Sequence, residues 1–242
     1  VLKDIFSGLV DLVYPPLCIS CKKRITPSAR YPVLCNECLS TVKLNGPPNC
    51  PKCSRSLADD PTQALCRTCR KHPPAFDFAW CACIFTDPLR YLIHSFKFGD
   101  KTILRHLFID LMIEHINRSN LDIAQFDHIL PVPLSPVRKR ERSYNQAELL
   151  AVGISRHFKI PLLCTAISRR NSGPAQSSLS EKERFTNIKG AFKMNSLLNI
   201  KNKNIIIIDD LLTTGATASE MALTLKKNGA ATVGVFTLAV TL

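Results

Sequence analysis

No apolar run in this 242-residue chain approaches the ~18–20 residues needed to cross a bilayer, and Lys, Asp or Pro interrupts the most lipophilic stretches. No membrane span is expected. Residues 1–17 lack the basic leader and small-residue cleavage site of a secretory signal, which predicts a cytoplasmic setting. Compositional bias is missing too: 45% hydrophobic and 21% charged residues exclude a disordered, collagen-like or low-complexity chain. The six histidines fall at no metal-ligand spacing, so no role is assigned to them. Acidic residues are scarce, 19 against 32 basic, and the net charge of +13 suits a polyanionic ligand, whether nucleic acid or a small phosphorylated molecule. The length allows one large domain or two smaller ones.

Cysteine is abundant and ordered. Eight of the eleven fall in Cys-x-x-Cys pairs, Cys18/Cys21, Cys35/Cys38, Cys50/Cys53 and Cys66/Cys69. A two-residue gap aims both thiolates of a turn at one ion, and two such turns complete a tetrahedral zinc site. The spacing repeats, with 13 residues between Cys21 and Cys35 and 12 between Cys53 and Cys66, as in a duplicated ribbon. Pairing neighbours predicts two structural Zn²⁺ ions stapling a segment too poor in large apolar side chains to fold alone. A closed four-thiolate site leaves no position for water, so zinc catalysis is not expected. Redox cycling of the pairs is the alternative. Cys81 and Cys83, in the alternating stretch 78–85, read as strand side chains packed on one face.

Two prolines in residues 70–76 disfavour helix there and place a boundary near residue 75. Residues 1–75 are expected to form an N-terminal helix and double zinc ribbon; Leu2, Ile5, Phe6, Leu9, Val10 and Val13 line one stripe of that helix, which would dock on the second domain. Residues 76–242 alternate short apolar runs with longer 3.6-residue periods, the pattern of an α/β domain with helices flanking a parallel sheet. Strands are expected over 128–132, 205–208 and 232–239, with helices over 87–98, 103–117, 144–157 and 216–228.

The most informative stretch is 205–218. Four consecutive isoleucines demand burial on both sheet faces and carry Asp209 and Asp210 to the strand's carboxyl end, where open α/β sheets bind ligands. Thr213 to Thr217 then form a polar turn opening a helix, and its free N–H groups, glycine backbone and hydroxyls make a phosphate cradle. Carboxylates beside such a cradle suit sugar hydroxyls, so the predicted ligand is a ribose 5-phosphate, with Mg²⁺ bridging the remainder. A strand–turn–helix with incidental polar residues is the plainer alternative, and it leaves two adjacent acids without a purpose.

This stretch resembles the 5-phosphoribosyl 1-pyrophosphate (PRPP) signature of type I phosphoribosyltransferases. The resemblance implies that Asp209 and Asp210, the catalytic candidates, bind the ribose 2- and 3-hydroxyls, with Leu211 beside them. Thr213, Thr214, Gly215, Ala216 and Thr217 would hold the 5-phosphate. With residues 94–100, 131–151, 169–192 and the zinc ribbon, the whole chain resembles the ComF family, which acts in natural competence. Ser143-Tyr144 stands where that family usually has Gly-Phe. The family implies a double ribbon on a phosphoribosyltransferase-like domain, PRPP with Mg²⁺ as ligands, and a helicase-like translocase or DNA-loading protein as partners.

Arg138, Lys139, Arg140 and Arg142 follow the strand over 128–132 where that fold places a pyrophosphate loop, and guanidinium forks suit polyphosphate. Arg169, Arg170, Gln176 and Arg184 occupy a Ser/Gly/Pro-containing segment that would close over substrate. Lys97 either lies over the site or ends an amphipathic helix, and the second reading is preferred. Two functions remain open: transfer of the phosphoribosyl group to an unidentified acceptor nitrogen, or a non-catalytic module binding a nucleotide or single-stranded DNA through these basic clusters, with Tyr144 and Phe185 as stacking groups.

Overall fold

The computed structural model describes residues 15–58, 63–170 and 188–242. The stripe expected over residues 2–13 and the candidates Gln176, Arg184 and Phe185 lie outside them. Two short helices, α1 (Asn36–Ser40) and α2 (Arg67–Lys71), sit in the cysteine-rich segment. There follow β1 (Phe78–Ile84), α3 (Leu89–Phe98), α4 (Leu104–Arg118), β2 (His128–Pro131), α5 (Pro136–Glu141) and α6 (Gln146–Phe158). The chain ends with β3 (Ile167–Arg169), β4 (Phe192–Met194), β5 (Asn204–Leu212), α7 (Ala216–Lys227) and β6 (Thr232–Val240).

Four strands form one parallel sheet in the order β1-β6-β5-β2, and β3 and β4 form a separate antiparallel pair. Burial of the isoleucine run explains the layering. Ile206 and Ile208 pack with α3, α4 and α6 on one face, while Ile205 and Ile207 pack with α7 and the β3/β4 pair on the other. A strand buried on both faces needs continuous β-branched residues rather than alternation, and four fully buried isoleucines meet that demand.

The cysteine-rich segment straddles the β1 edge. Residues 43–45, which join its halves, run along β1: Leu44 bridges Cys83, Asn45 N–H donates to the Ala82 carbonyl at 2.9 Å, and Ile84 N–H donates to the Lys43 carbonyl at 2.8 Å. The exposed edge of the sheet is thereby covered. The first half packs with the α4 side, where Tyr31 Oη donates to Asp110 Oδ2 at 2.8 Å, and the second half packs with the α7 side. Cys81 and Cys83 do not share a face, contrary to the expectation from alternation. Cys81 joins the second cluster, whereas Ala82 and Cys83 both join the first; the same change runs through the neighbouring β6, where Leu238 and Ala239 both join the first cluster and Val240 the second.

Candidate functional site

The two halves of the cysteine-rich segment repeat one design. A tight turn holds each first pair, closed by a positive φ at Lys22 (64°) and Ser54 (61°). Each second pair opens a five-residue helix, with Cys35 and Cys66 at the caps of α1 and α2. The sulfurs of Cys18, Cys21, Cys35 and Cys38 lie within 4.8 Å of one another, as do those of Cys50, Cys53, Cys66 and Cys69. Tetrahedral zinc with ~2.3 Å bonds requires sulfurs about 3.8 Å apart. The Cys21–Cys35 separation of 3.7 Å and the Cys53–Cys66 separation of 3.4 Å fit that geometry. Two sequentially paired tetrads thus support structural zinc, and the tetrads leave Cys81 and Cys83 as packing residues.

At the carboxyl ends of β5 and β2 an open cleft of about 300 Å³ brings together distant parts of the chain. Its floor is the acid pair. Asp209 Oδ1 accepts the Asp210 N–H at 2.8 Å, and Asp210, 6% exposed, meets Lys97 Nζ from the last turn of α3 at 2.8 Å. Burial, then the adjacent Asp210 carboxylate, pushes the Asp209 carboxyl up to about 7; Lys97 pulls the other way. Two carboxylates in one site resist joint ionisation, and a cation or a hydroxyl donor relieves them.

One wall is the turn between β5 and α7. Leu211 to Thr217 all line the cleft, and Gly215 caps α7 at φ +79°. A Cβ there would meet the Phe76 ring at 3.7 Å, an ordinary contact, so it is the backbone sign that calls for glycine. Thr214 Oγ1 accepts the Ala216 N–H at 3.3 Å, while the first-turn N–H groups of α7 that no helix can pair internally open toward the cleft.

The opposite wall is cationic. Ser135 caps α5, accepting the Arg138 N–H at 3.3 Å, and Asn145 caps α6, accepting the Ala147 N–H at 3.2 Å. Arg138 and Arg142, four residues apart, both line the cleft and are joined by Arg169 from the end of β3. Lys139, Arg140 and Arg170 are exposed and lie outside it. Arg142 lies over the Phe98 ring at 4.6 Å and donates from Nη1 to Gln146 Oε1 at 3.0 Å. Burial lowers the pKa of both Arg142 and Arg169 from the usual guanidinium value. Three buried donors on this wall, Arg142 Nε, Gln146 Nε2 and Arg169 Nε, have no partner in the protein. Buried donors are rarely left so, and an oxygen-rich ligand would satisfy them.

Reasoning from sequence missed Phe98 and Gln146, and for Lys97 it preferred a helix end to the position over the site that the structure shows. The amphipathic period of residues 87–98 placed Lys97 on a helix surface, and only the fold shows that this surface overhangs β5. Gln146 offered one signal, a polar residue beginning the apolar stripe of α6, at a position that proves to be 2% exposed.

Residues 9–70 match the family model described as the double zinc ribbon domain, and residues 145–240 match that of the phosphoribosyl transferase domain. Competence protein F of Haemophilus influenzae is 32% identical over 231 residues, covering 92% of this chain and 96% of that protein. DNA utilization protein YhgH of Escherichia coli O157:H7 is 30% identical over 233 residues, covering 96% and 100%. Among solved structures, adenine phosphoribosyltransferase from Leishmania tarentolae is 14% identical over 60% of this chain and 74% of its own, with a TM-score of 0.37. Among the described residues no helix is long and apolar enough to cross a membrane.

Proposed function

The chain belongs to the ComF family, a double zinc ribbon joined to a phosphoribosyl transferase domain, and from that membership we propose that it binds PRPP with Mg²⁺ in the cleft and serves DNA uptake in natural competence. Asp209 and Asp210 accept hydrogen bonds from the ribose 2- and 3-hydroxyls. The turn over Thr213, Thr214, Gly215, Ala216 and Thr217 holds the 5-phosphate, and Leu211 lines the sugar. Arg138, Arg142 and Arg169 face the pyrophosphate. Its partners are the translocase and DNA-loading proteins of the uptake machinery, and a cytoplasmic location follows from that role.

The observation that carries this reading is the segregation of charge across one cleft: a buried acid pair on the floor, an amide-lined turn on one side, and three unpaired guanidinium or amide donors on the other. A ligand that presents hydroxyls in the middle and phosphates at both ends matches all three. When bound, Mg²⁺ neutralises pyrophosphate oxygens. The protein's own contribution to group transfer is placement and charge: the arginines stabilise the departing pyrophosphate, and the carboxylates stabilise the cationic sugar centre. On this reading Arg138, Arg142 and Arg169 face the leaving group, and the reaction class is transfer of the phosphoribosyl group to an unidentified acceptor nitrogen.

Isothermal titration calorimetry with PRPP and Mg²⁺ tests the reading. Saturable binding is expected for the native chain and loss of it for Asp209→Asn with Asp210→Asn, folded by circular dichroism. Undiminished affinity in that double variant removes the acid pair from the site.

A further inference from the structure

Helix α3 extends beyond the cleft. Its inner face, Leu89, Leu92, Ile93 and Phe96, is fully buried. Its outer face presents Tyr91, His94 and Phe98, which at spacings of three and four residues form one stripe. Tyr91 is 44% exposed and Phe98 63%, and they are the two aromatics among the exposed large hydrophobic side chains of the described residues. With His94 between them they make one contiguous aromatic strip, and contiguous exposed apolar surface marks interaction sites where scattered single residues do not.

Each ring already carries a cation. Lys22, from the first ribbon, places Nζ 5.4 Å from the Tyr91 ring centroid and 3.3 Å from its hydroxyl. Arg142 lies over Phe98 at 4.6 Å, and His94 stands 4.9 Å from the same ring. Tyr91 and His94 border a shallow groove between α3 and the first ribbon, where Ser20 and Thr41 add hydroxyls and the Asp87 carboxylate is paired with Arg90 at 2.6 Å. At the other end, Phe98 lies on the rim of the cleft. The stripe therefore runs about 10 Å along the helix, from the ribbon to the mouth of the proposed PRPP site.

We propose that this face of α3 is a single-stranded DNA platform that leads the strand to the cleft. Bases stack on Tyr91 and His94, and Lys22 meets the phosphate between them, while Phe98 and Arg142, packed on each other, stay with the cleft at which the strand arrives. Aromatic rings interleaved with cations are what a single strand requires, because every base has a π-face and every linkage a negative charge. The net charge of +13 favours the same polyanion. The choice of DNA rests on the DNA-uptake reading; the stacking surface itself does not depend on PRPP.

Fluorescence anisotropy with labelled oligothymidylate tests the platform. Tyr91→Ala with His94→Ala, both outside the cleft, is expected to weaken binding tenfold or more, since each ring removed takes a stacking surface from a base. Tyr91→Trp should retain it, and calorimetric PRPP binding should be unchanged in both. Asp209→Asn, which tests the cleft, should leave oligothymidylate binding intact, so failure of either reading shows separately. Unaltered oligothymidylate affinity in the double variant, equal affinity for duplex and single strand, or no binding by the native chain overturns the proposal.

Discussion

Lys97 Nζ stands 2.8 Å from Asp210 Oδ1, tying the last turn of α3 to the end of β5. The Asp210 side chain is 8% exposed and that of Lys97 20%, so the pair is largely withdrawn from water. Removing one partner of such a pair strands the other's charge. Lys97→Met is therefore expected to destabilise the protein by about 2 kcal/mol, less than for a fully buried pair because the lysine keeps some solvent contact. Adding Asp210→Asn should recover most of that loss. Denaturant unfolding at neutral pH measures both, and a single variant as stable as the native chain would show that the contact contributes nothing.

The acid pair also makes stability depend on pH. Burial and the Asp210 carboxylate raise the Asp209 carboxyl from 3.8 to about 7. Between about pH 4 and pH 7 the folded chain therefore holds a proton that the unfolded chain has released. Stability must fall as pH rises through this window and level off above it. Asp209→Asn abolishes that contribution, so the variant should exceed the native chain in stability above pH 7 by of order 2 kcal/mol, with the difference shrinking toward pH 4. Thermal melts of the two proteins across this range check the sign; a difference independent of pH contradicts it.

These two relationships mark the limit of what the sequence made legible. The isoleucine run, the acids and the threonine–glycine turn could be read because each follows from local chemistry: continuous burial, a strand end, a positive φ. The boundaries moved for equally local reasons. The helix expected over 144–157 begins at Gln146 because Asn145 caps it, and the strand expected over 205–208 runs on to Leu212 because Asp209 and Leu211 keep pairing with Thr237 and Ala239 of β6. What could not be read is tertiary. Lys97 meets Asp210 across 113 positions of the chain. Nor does any pattern within residues 43–45 announce that they seal β1. Four basic residues within five positions also look alike in sequence, and only the fold separates Arg138 and Arg142, which face the cleft, from Lys139 and Arg140, which face water.

Zinc should hold the ribbons against the sheet edge as well as fold them. Elemental analysis is expected to find two zincs per chain, and Cys50→Ser about one, because the tetrads share no ligand. Chelation should unfold the segment and release contacts such as Tyr31 to Asp110 and Lys52 Nζ to the Asp77 carbonyl. Structural zinc is linked to folding by ~10 kcal/mol or more in isolated fingers, so the loss should be cooperative. Hydrogen exchange would detect it as deprotection of β1, whose edge residues 43–45 cover. A folded, monodisperse, metal-free protein would overturn the assignment.

The basic segment after β2 offers the sharpest contrast between neighbours. Arg138 in α5 and Arg142 at its C-cap both line the cleft, while Arg140, half a turn from Arg138, is exposed beyond it. Arg142 is further fixed by Phe98 beneath its guanidinium and by Gln146 at its Nη1. A planar fork held in place by stacking and a hydrogen bond meets phosphate oxygens with little further ordering, an arrangement a lysine ammonium cannot reproduce. Arg142→Lys is thus expected to weaken PRPP binding roughly tenfold although the charge is kept, whereas Arg140→Ala, which removes a charge, should change it less than twofold. Calorimetry at fixed Mg²⁺ and moderate salt separates the two. Equal losses in both variants would mean that the ligand senses only the general positive field, and that the cleft's cationic wall is not the pyrophosphate site.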